Sequence, residues 1–309
     1  MLLLLCVFCL GAGAQQLDFR YRKLDTGYQF DYRWRDDAGN IQTISFTLPA
    51  EGFASLPQTQ PEYKQDIARR YVVVEMLKAA RRVSPRDARI DIHERGDNIQ
   101  IAIKSPSDRL EKSVRDQLVR AQKDAFDTYL TEHYYTAFTT PLRENAVKPD
   151  HLRYIRESVM ALIPLSQAFY EKIDQRSDAR AYFNVLLNWA QSIPYDPLED
   201  RSDSNGAGFA PPLTLLMYNK GDCDSKAVLT AAAARAFLPN VGMILVLLRE
   251  HALLGIALSP RSHESTLNVK GTEYVLFDPT GPALMPFGQV SEDTRRELAT
   301  GLYTTEVIQ

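Results

Sequence analysis

Cys223 stands where a loop rich in Gly, Pro and Asn gives way to an Ala-rich run, in Lys220-Gly221-Asp222-Cys223-Asp224-Ser225-Lys226-Ala227-Val228-Leu229. A thiol in the first turn of a helix meets unpaired backbone N–H groups and the positive end of the helix dipole, which both favour a thiolate. His251 opens an apolar run further on, and Asp278 closes another. A soft nucleophile, a base to take its proton and a carboxylate to orient the imidazole are the parts that acyl transfer through a thiol requires. The Cys223 backbone N–H plus one donor from the preceding loop would hold the oxyanion. Tyr195, Tyr218 and Asn219 are the candidates for that donor, and residue type does not choose among them. Asp222 and Asp224 favour a helix start as caps. Their charges oppose a thiolate, so a protonated His251 must outweigh them.

The elements that would carry these residues can be read from periodicity. Apolar runs over 241–248 and 252–258 have the form of buried strands, and 266–269 with 273–277 form a hairpin around Lys270-Gly271-Thr272. This order places the cysteine on a helix, the histidine on a strand and the aspartate at a strand end. Upstream, Asp150 caps a helix over 151–173 with a kink at Pro164, and Ser177 or Asp178 caps another that Pro194 ends. Residues 195–220 are irregular, and a short helix runs over 291–300.

The first part of the chain has a different texture. Phe19, Tyr21, Tyr28, Phe30, Tyr32 and Trp34 recur at steps of two between turn-forming segments, the pattern of an antiparallel meander with one aromatic face. A helix over 62–83 with Tyr71, Val74, Leu77 and Ala80 on one face follows, then a hairpin over 89–104 and a helix that starts at Ser107. Residues 146–150 read as a linker. The expected organisation is a β-rich α+β module over 16–145 and a second, chemistry-bearing domain over 150–309.

The chain begins with a short apolar run and Ala12-Gly13-Ala14, which matches the small-x-small rule for a cleaved export signal over 1–15. A periplasmic or secreted location follows from that reading. Cys6 and Cys9 would leave with the signal, so Cys223 would be the one cysteine of the mature chain. A net charge of -3 over 309 residues gives no basic field for nucleic acid. No later segment has the length and apolarity of a membrane helix. The histidines lack metal-ligand spacing, and there is no Walker loop or dinucleotide fingerprint, so no metal and no cofactor are expected.

Taken together, Gly221-Asp222-Cys223-Asp224-x-Lys226-Ala227-Val228-Leu229, then His251, then Tyr274-Val275-Leu276-Phe277-Asp278-Pro279-Thr280 resemble the transglutaminase-like cysteine superfamily, in its bacterial cysteine-protease form. Ile193-Pro194-Tyr195-Asp196 and Pro212-Leu213-Thr214-Leu215 also match what precedes the cysteine there. The resemblance spans about residues 150 to 290 and not the N-terminal module. It implies a papain-like α+β core with Cys223 as nucleophile, His251 as base and Asp278 as orienting acid. The implied activity is an exported cysteine hydrolase (protease or amidase) that works through a thioester on peptide or protein amides. Its alternatives are a cross-linking transglutaminase and a non-catalytic module that docks a peptide or an envelope protein. The run Ala252-Leu253-Leu254-Gly255 departs from the aromatic and Glu that often follow the family's histidine, so the resemblance leaves the substrate open.

Overall fold

The structure is a computed structural model that describes residues 15–54, 56–96, 98–174, 176–199 and 208–309. Residues 1–14 of the expected leader, with Cys6 and Cys9, lie outside the described residues, as does the Asn205-Gly206 part of the loop before Cys223. The fold is mixed α+β with antiparallel sheets. The chain forms two compact units: residues 1–59 together with 151–309, and residues 60–150. The meander therefore does not belong to a module over 16–145 but joins the C-terminal half.

The reason lies in the aromatic face. Strands β1 (Gln16–Leu24), β2 (Gly27–Arg35) and β3 (Ile41–Pro49) form the expected meander. Phe30, Tyr32 and Trp34 on β2, with Ile44, Phe46 and Leu48 on β3, are buried. Tyr32 meets Trp189 edge-on at 5.3 Å. Asn188 accepts a hydrogen bond from the Asp37 backbone at 2.8 Å. A sheet of this size cannot stand alone in water and needs a partner for its apolar face. The helices Ile163–Tyr170 and Ala179–Ser192 supply one.

The unit's second sheet has the order β10-β11-β9-β8-β12, with β8 Met243–Leu247, β9 Ala252–Ile256, β10 Thr266–Val269, β11 Thr272–Phe277 and β12 Thr304–Ile308. All of its pairings are antiparallel. Ile244, Val246, Leu253, Tyr274 and Leu276 cluster on one face. The helix Cys223–Phe237 packs on β9 and is enclosed by the helices His151–Ser158, Ile163–Tyr170, Ala179–Ser192 and Pro212–Tyr218. Ala227 and Ala231 to Ala234 let neighbours approach this helix on every side, and it is buried from Ser225 to Arg235.

Two expectations change here. The helix over 151–173 is two helices, His151–Ser158 and Ile163–Tyr170, with Pro164 in the first turn of the second, where its missing N–H costs nothing. The tail adds β12, which pairs with β8 from Thr304↔Leu247 to Ile308↔Met243.

In the unit 60–150, helices Gln65–Ala80 and Asp108–Glu132 pack with the hairpin β4 (Arg89–Arg95) and β5 (Asn98–Lys104). Ser107 caps the second helix by accepting from Leu110 N. Met76, Ile92, Ile103, Val114 and Leu118 make the core. The buried face of the first helix is Ala68, Val72 and Met76, one step round from the expected face, and Val74 and Leu77 are exposed. The expected linker 146–150 is mostly strand β7 (Asn145–Pro149), paired with β6 (Tyr135–Thr139).

The enclosed cysteine helix leaves no room for bulk. Ala232→Leu is expected to cost about 1–3 kcal/mol through overpacking. Urea unfolding checks this, as a lowered midpoint with an unchanged slope.

Candidate active site

Backbone geometry alone brings the two strand residues together. His251 immediately precedes β9 and Asp278 immediately follows β11. These strands are antiparallel neighbours, with Leu254 opposite Phe277, so the start of one lies beside the end of the other. Asp278 Oδ2 lies 2.7 Å from His251 Nε2. Its other carboxylate oxygen accepts from the Thr280 backbone N–H at 2.9 Å, and its carbonyl accepts from Gln191 Nε2 at 2.6 Å. The carboxylate is thus fixed at both oxygens, and Nδ1 of His251 is the ring nitrogen left for chemistry. Burial pushes the Asp278 carboxyl up, but the bond and charge of His251 and the Thr280 amide bring it below its ordinary value. Burial pulls the imidazole down, but the Asp278 bond and charge hold it above its ordinary value.

Cys223 is the first residue of its helix, and Asp222 caps that helix by accepting from Ser225 N at 3.2 Å. The thiol is half-buried and carries no disulfide. The helix that Cys223 starts packs on β9, and the backbone amides of Ala252, the residue next to His251, and of Asp224 pull the thiol down. The helix start and the strand pair therefore meet around Cys223. Burial, then the charges of Asp224 and Asp222, push the thiol up to about 12 despite those two amides. Desolvation and the acidic flank thus oppose the helix start, which the sequence alone marks as favouring a thiolate.

Burial, the Asp224 charge and a hydrogen bond with Asp224 raise the Asp222 carboxyl well above its ordinary value. Asp224 also faces His151, whose Nε2 stands 3.0 Å from its Oδ2. No local pattern in the chain signals this pairing.

The three oxyanion candidates go to different places. Tyr195 forms an isolated bridge with Gly221, and its hydroxyl is raised by burial and then by the charges of Cys223, Asp222 and Asp224. Asn219 ends its helix in the left-handed conformation and pairs its amide with Gln16, accepting at 3.0 Å and donating at 2.6 Å. Tyr218 is 64% exposed. The backbone bridge ties the Tyr195 segment to the loop before Cys223, and the Asn219 amide is committed to Gln16 on β1.

Lys226 lies one turn into the cysteine helix and is almost fully buried. Its ammonium donates to the carbonyls of Ile193 and Thr280, each at 2.5 Å. Burial pulls it down to about 8, against the pull of Asp278 and Asp222. The loop after Asp278 runs so close to the Ala179–Ser192 helix that a Cβ on Gly281, at φ +66, would lie 2.2 Å from the Gln191 carbonyl. Among the described residues no cluster of His, Cys, Asp and Glu could hold a metal ion. No helix there is long and apolar enough to cross a membrane. No family model, curated protein or solved structure matches the chain.

Lys226→Met would leave two buried carbonyls without a donor and is expected to cost about 2–5 kcal/mol, read from urea unfolding. The His251–Asp278 pair predicts a signed pH dependence. A raised histidine contributes fully below its unfolded value of about 6.5 and loses that contribution as pH rises through the folded value. A lowered aspartate contributes above about 3.9 and loses it as pH falls through the folded value. The stability deficit of His251→Gln is therefore expected to be larger at about pH 5.5 than at about pH 9. Equal deficits at both would count against the pair.

Proposed function

We propose that the chain is a cysteine hydrolase of the transglutaminase-like superfamily, a protease or amidase with a papain-like core, acting on peptide or protein amides. The observation that carries this reading is the convergence at Cys223. Its helix packs on the strand that follows His251, the amide next to His251 pulls the thiol down, and His251 is held by Asp278 at 2.7 Å. Three groups of the required kinds, contributed by a helix start and two adjacent strand ends, support acyl transfer more than structural roles for each.

The chemistry runs as follows on this geometry. The resting thiol keeps its proton, so His251 Nδ1 takes it as the sulfur attacks the amide carbonyl. The carbonyl π electrons move to oxygen, and the Cys223 backbone N–H with the Tyr195 hydroxyl donates to that oxyanion. Collapse re-forms the carbonyl and breaks the C–N bond, and the imidazolium gives its proton to the departing amine. Water then attacks the thioester, again losing its proton to His251. The second collapse releases the carboxylic acid product and returns the thiol. Asp278 keeps its charge throughout and stabilises the imidazolium. Nothing among the described residues marks an amine-binding position, and water is the acceptor this reading assigns.

Iodoacetamide labelling followed by mass spectrometry tests the nucleophile. Cys223 is expected to label in the folded protein near pH 7, and His251→Ala to slow it. A thiol that labels only in denaturant would defeat the proposal. Against a peptide amide that the protein cleaves, His251→Ala should lower kcat by about 10²–10⁴. Incubation with a lysine-like amine and a glutamine peptide separates hydrolysis from transfer, with free acid the expected product.

A further inference from the structure

Resting on the reading of Cys223 as a nucleophile, we propose that His151, as an imidazolium, offsets the charge of Asp224 and so is a positioning residue that sets how readily the Cys223 thiol gives up its proton. The observation is the contact between His151 Nε2 and Asp224 Oδ2 at 3.0 Å, at the residue that follows Cys223. His151 is 2% exposed, and its ring packs on Phe209 at 5.1 Å between centroids, so solvent does little to screen the pair.

The reaction needs negative charge to develop on sulfur beside two acids. Among the charges that weigh on the thiol, that of Asp224 comes before that of Asp222. An imidazolium against Asp224 offsets that charge where it stands. With a neutral imidazole the charge would face the forming thiolate undiluted. Among the described residues, the elements packed on the His151–Ser158 helix bring these titratable groups: the Cys223 helix brings Cys223, Asp224, Lys226 and Arg235 with Asp222 at its cap, the Pro212–Tyr218 helix brings Tyr218, and β12 brings Glu306, while the helix itself carries Arg153, Tyr154, Arg156 and Glu157. Lys226 donates to Ile193 and Thr280, and Arg235 to the carbonyls of Pro239, Val241 and Ile308. Both cations are thus committed to carbonyl groups, and His151 is the side chain seen directly against the Asp224 carboxylate.

The test is a double-mutant cycle on the rate of iodoacetamide labelling of Cys223 as a function of pH, in the full chain. His151→Gln is expected to slow labelling near pH 7 by about tenfold, one unit of thiol acidity. Asp224→Asn in that background is expected to restore the rate to within about threefold of wild type. A histidine with a merely structural role would loosen the fold and speed labelling, and the second substitution would not repair it. Asp224→Asn alone decides the matter should His151→Gln fail to fold. If His151 compensates, the single variant changes the rate by less than about threefold, because both charges leave together. Acceleration of about tenfold or more means Asp224 stood uncompensated and overturns the inference. His151→Ala is not needed for this reading, whereas His251→Ala tests the other one. A labelling rate indifferent to His251→Ala removes the nucleophile reading, while the cycle on the same thiol still decides the role of His151.

Discussion

A lysine inside the protein fixes the relation among the parts of the site. Lys226 is on the same helix as Cys223, and its two acceptors belong to other elements, Ile193 at the end of one helix and Thr280 in the loop that carries Asp278. An ammonium out of water must find oxygen partners or lose its proton. Displacing either carbonyl therefore costs more than an apolar contact would. The cysteine helix, the segment leading to Tyr195 and the loop of the orienting carboxylate are held to one point by one side chain. Gln191 repeats the theme from the neighbouring helix by binding the carbonyl of Asp278 and that of Met285. The closeness that Gly281 permits keeps the two layers tight around it.

Charge is the second organising fact. The site holds Asp222, Asp224 and Asp278 against Lys226, His151 and His251, in a region that is largely shielded from water. Each acid is answered locally: Asp278 by His251, Asp224 by His151, and Asp222 by a cap bond to Ser225 N. A buried site can carry this many titratable groups only because nearly every one has a partner. The cost falls on the thiol, which burial and the two acids push up to about 12.

Much of this was legible in the sequence where the signal is local. The alternation of Phe30, Tyr32 and Trp34 marks a strand face, and Asp222 before an Ala-rich run marks a helix start, because each depends on neighbours in the chain. His251 and Asp278 were visible as strand-end residues because apolar runs point to strands, and the two do pair. What escaped depends on contacts between distant residues. His151 opens an ordinary-looking helix, and nothing near it names Asp224 as its partner. Lys226 reads as a solvent-facing lysine unless the helix is known to be enclosed. β7 is short and carries Lys148 and Pro149, and β12 has Glu306 at its centre, so neither shows the apolar run that marks a buried strand. The Gln65–Ala80 helix has apolar residues on several faces, and the one buried is chosen by what packs against it.

The division of the chain has a consequence for how the protein is made. One compact unit is written in two pieces, 1–59 and 151–309, with the other unit between them. The meander leaves the ribosome before the helices that cover its aromatic face, which come after the intervening unit. β8 waits for β12, which is made near residue 308. The unit 60–150 has its own core and can fold while synthesis continues. Cys223, His251 and Asp278 therefore come together only after the unit between the two pieces has been made, so the order of the sequence itself delays their assembly.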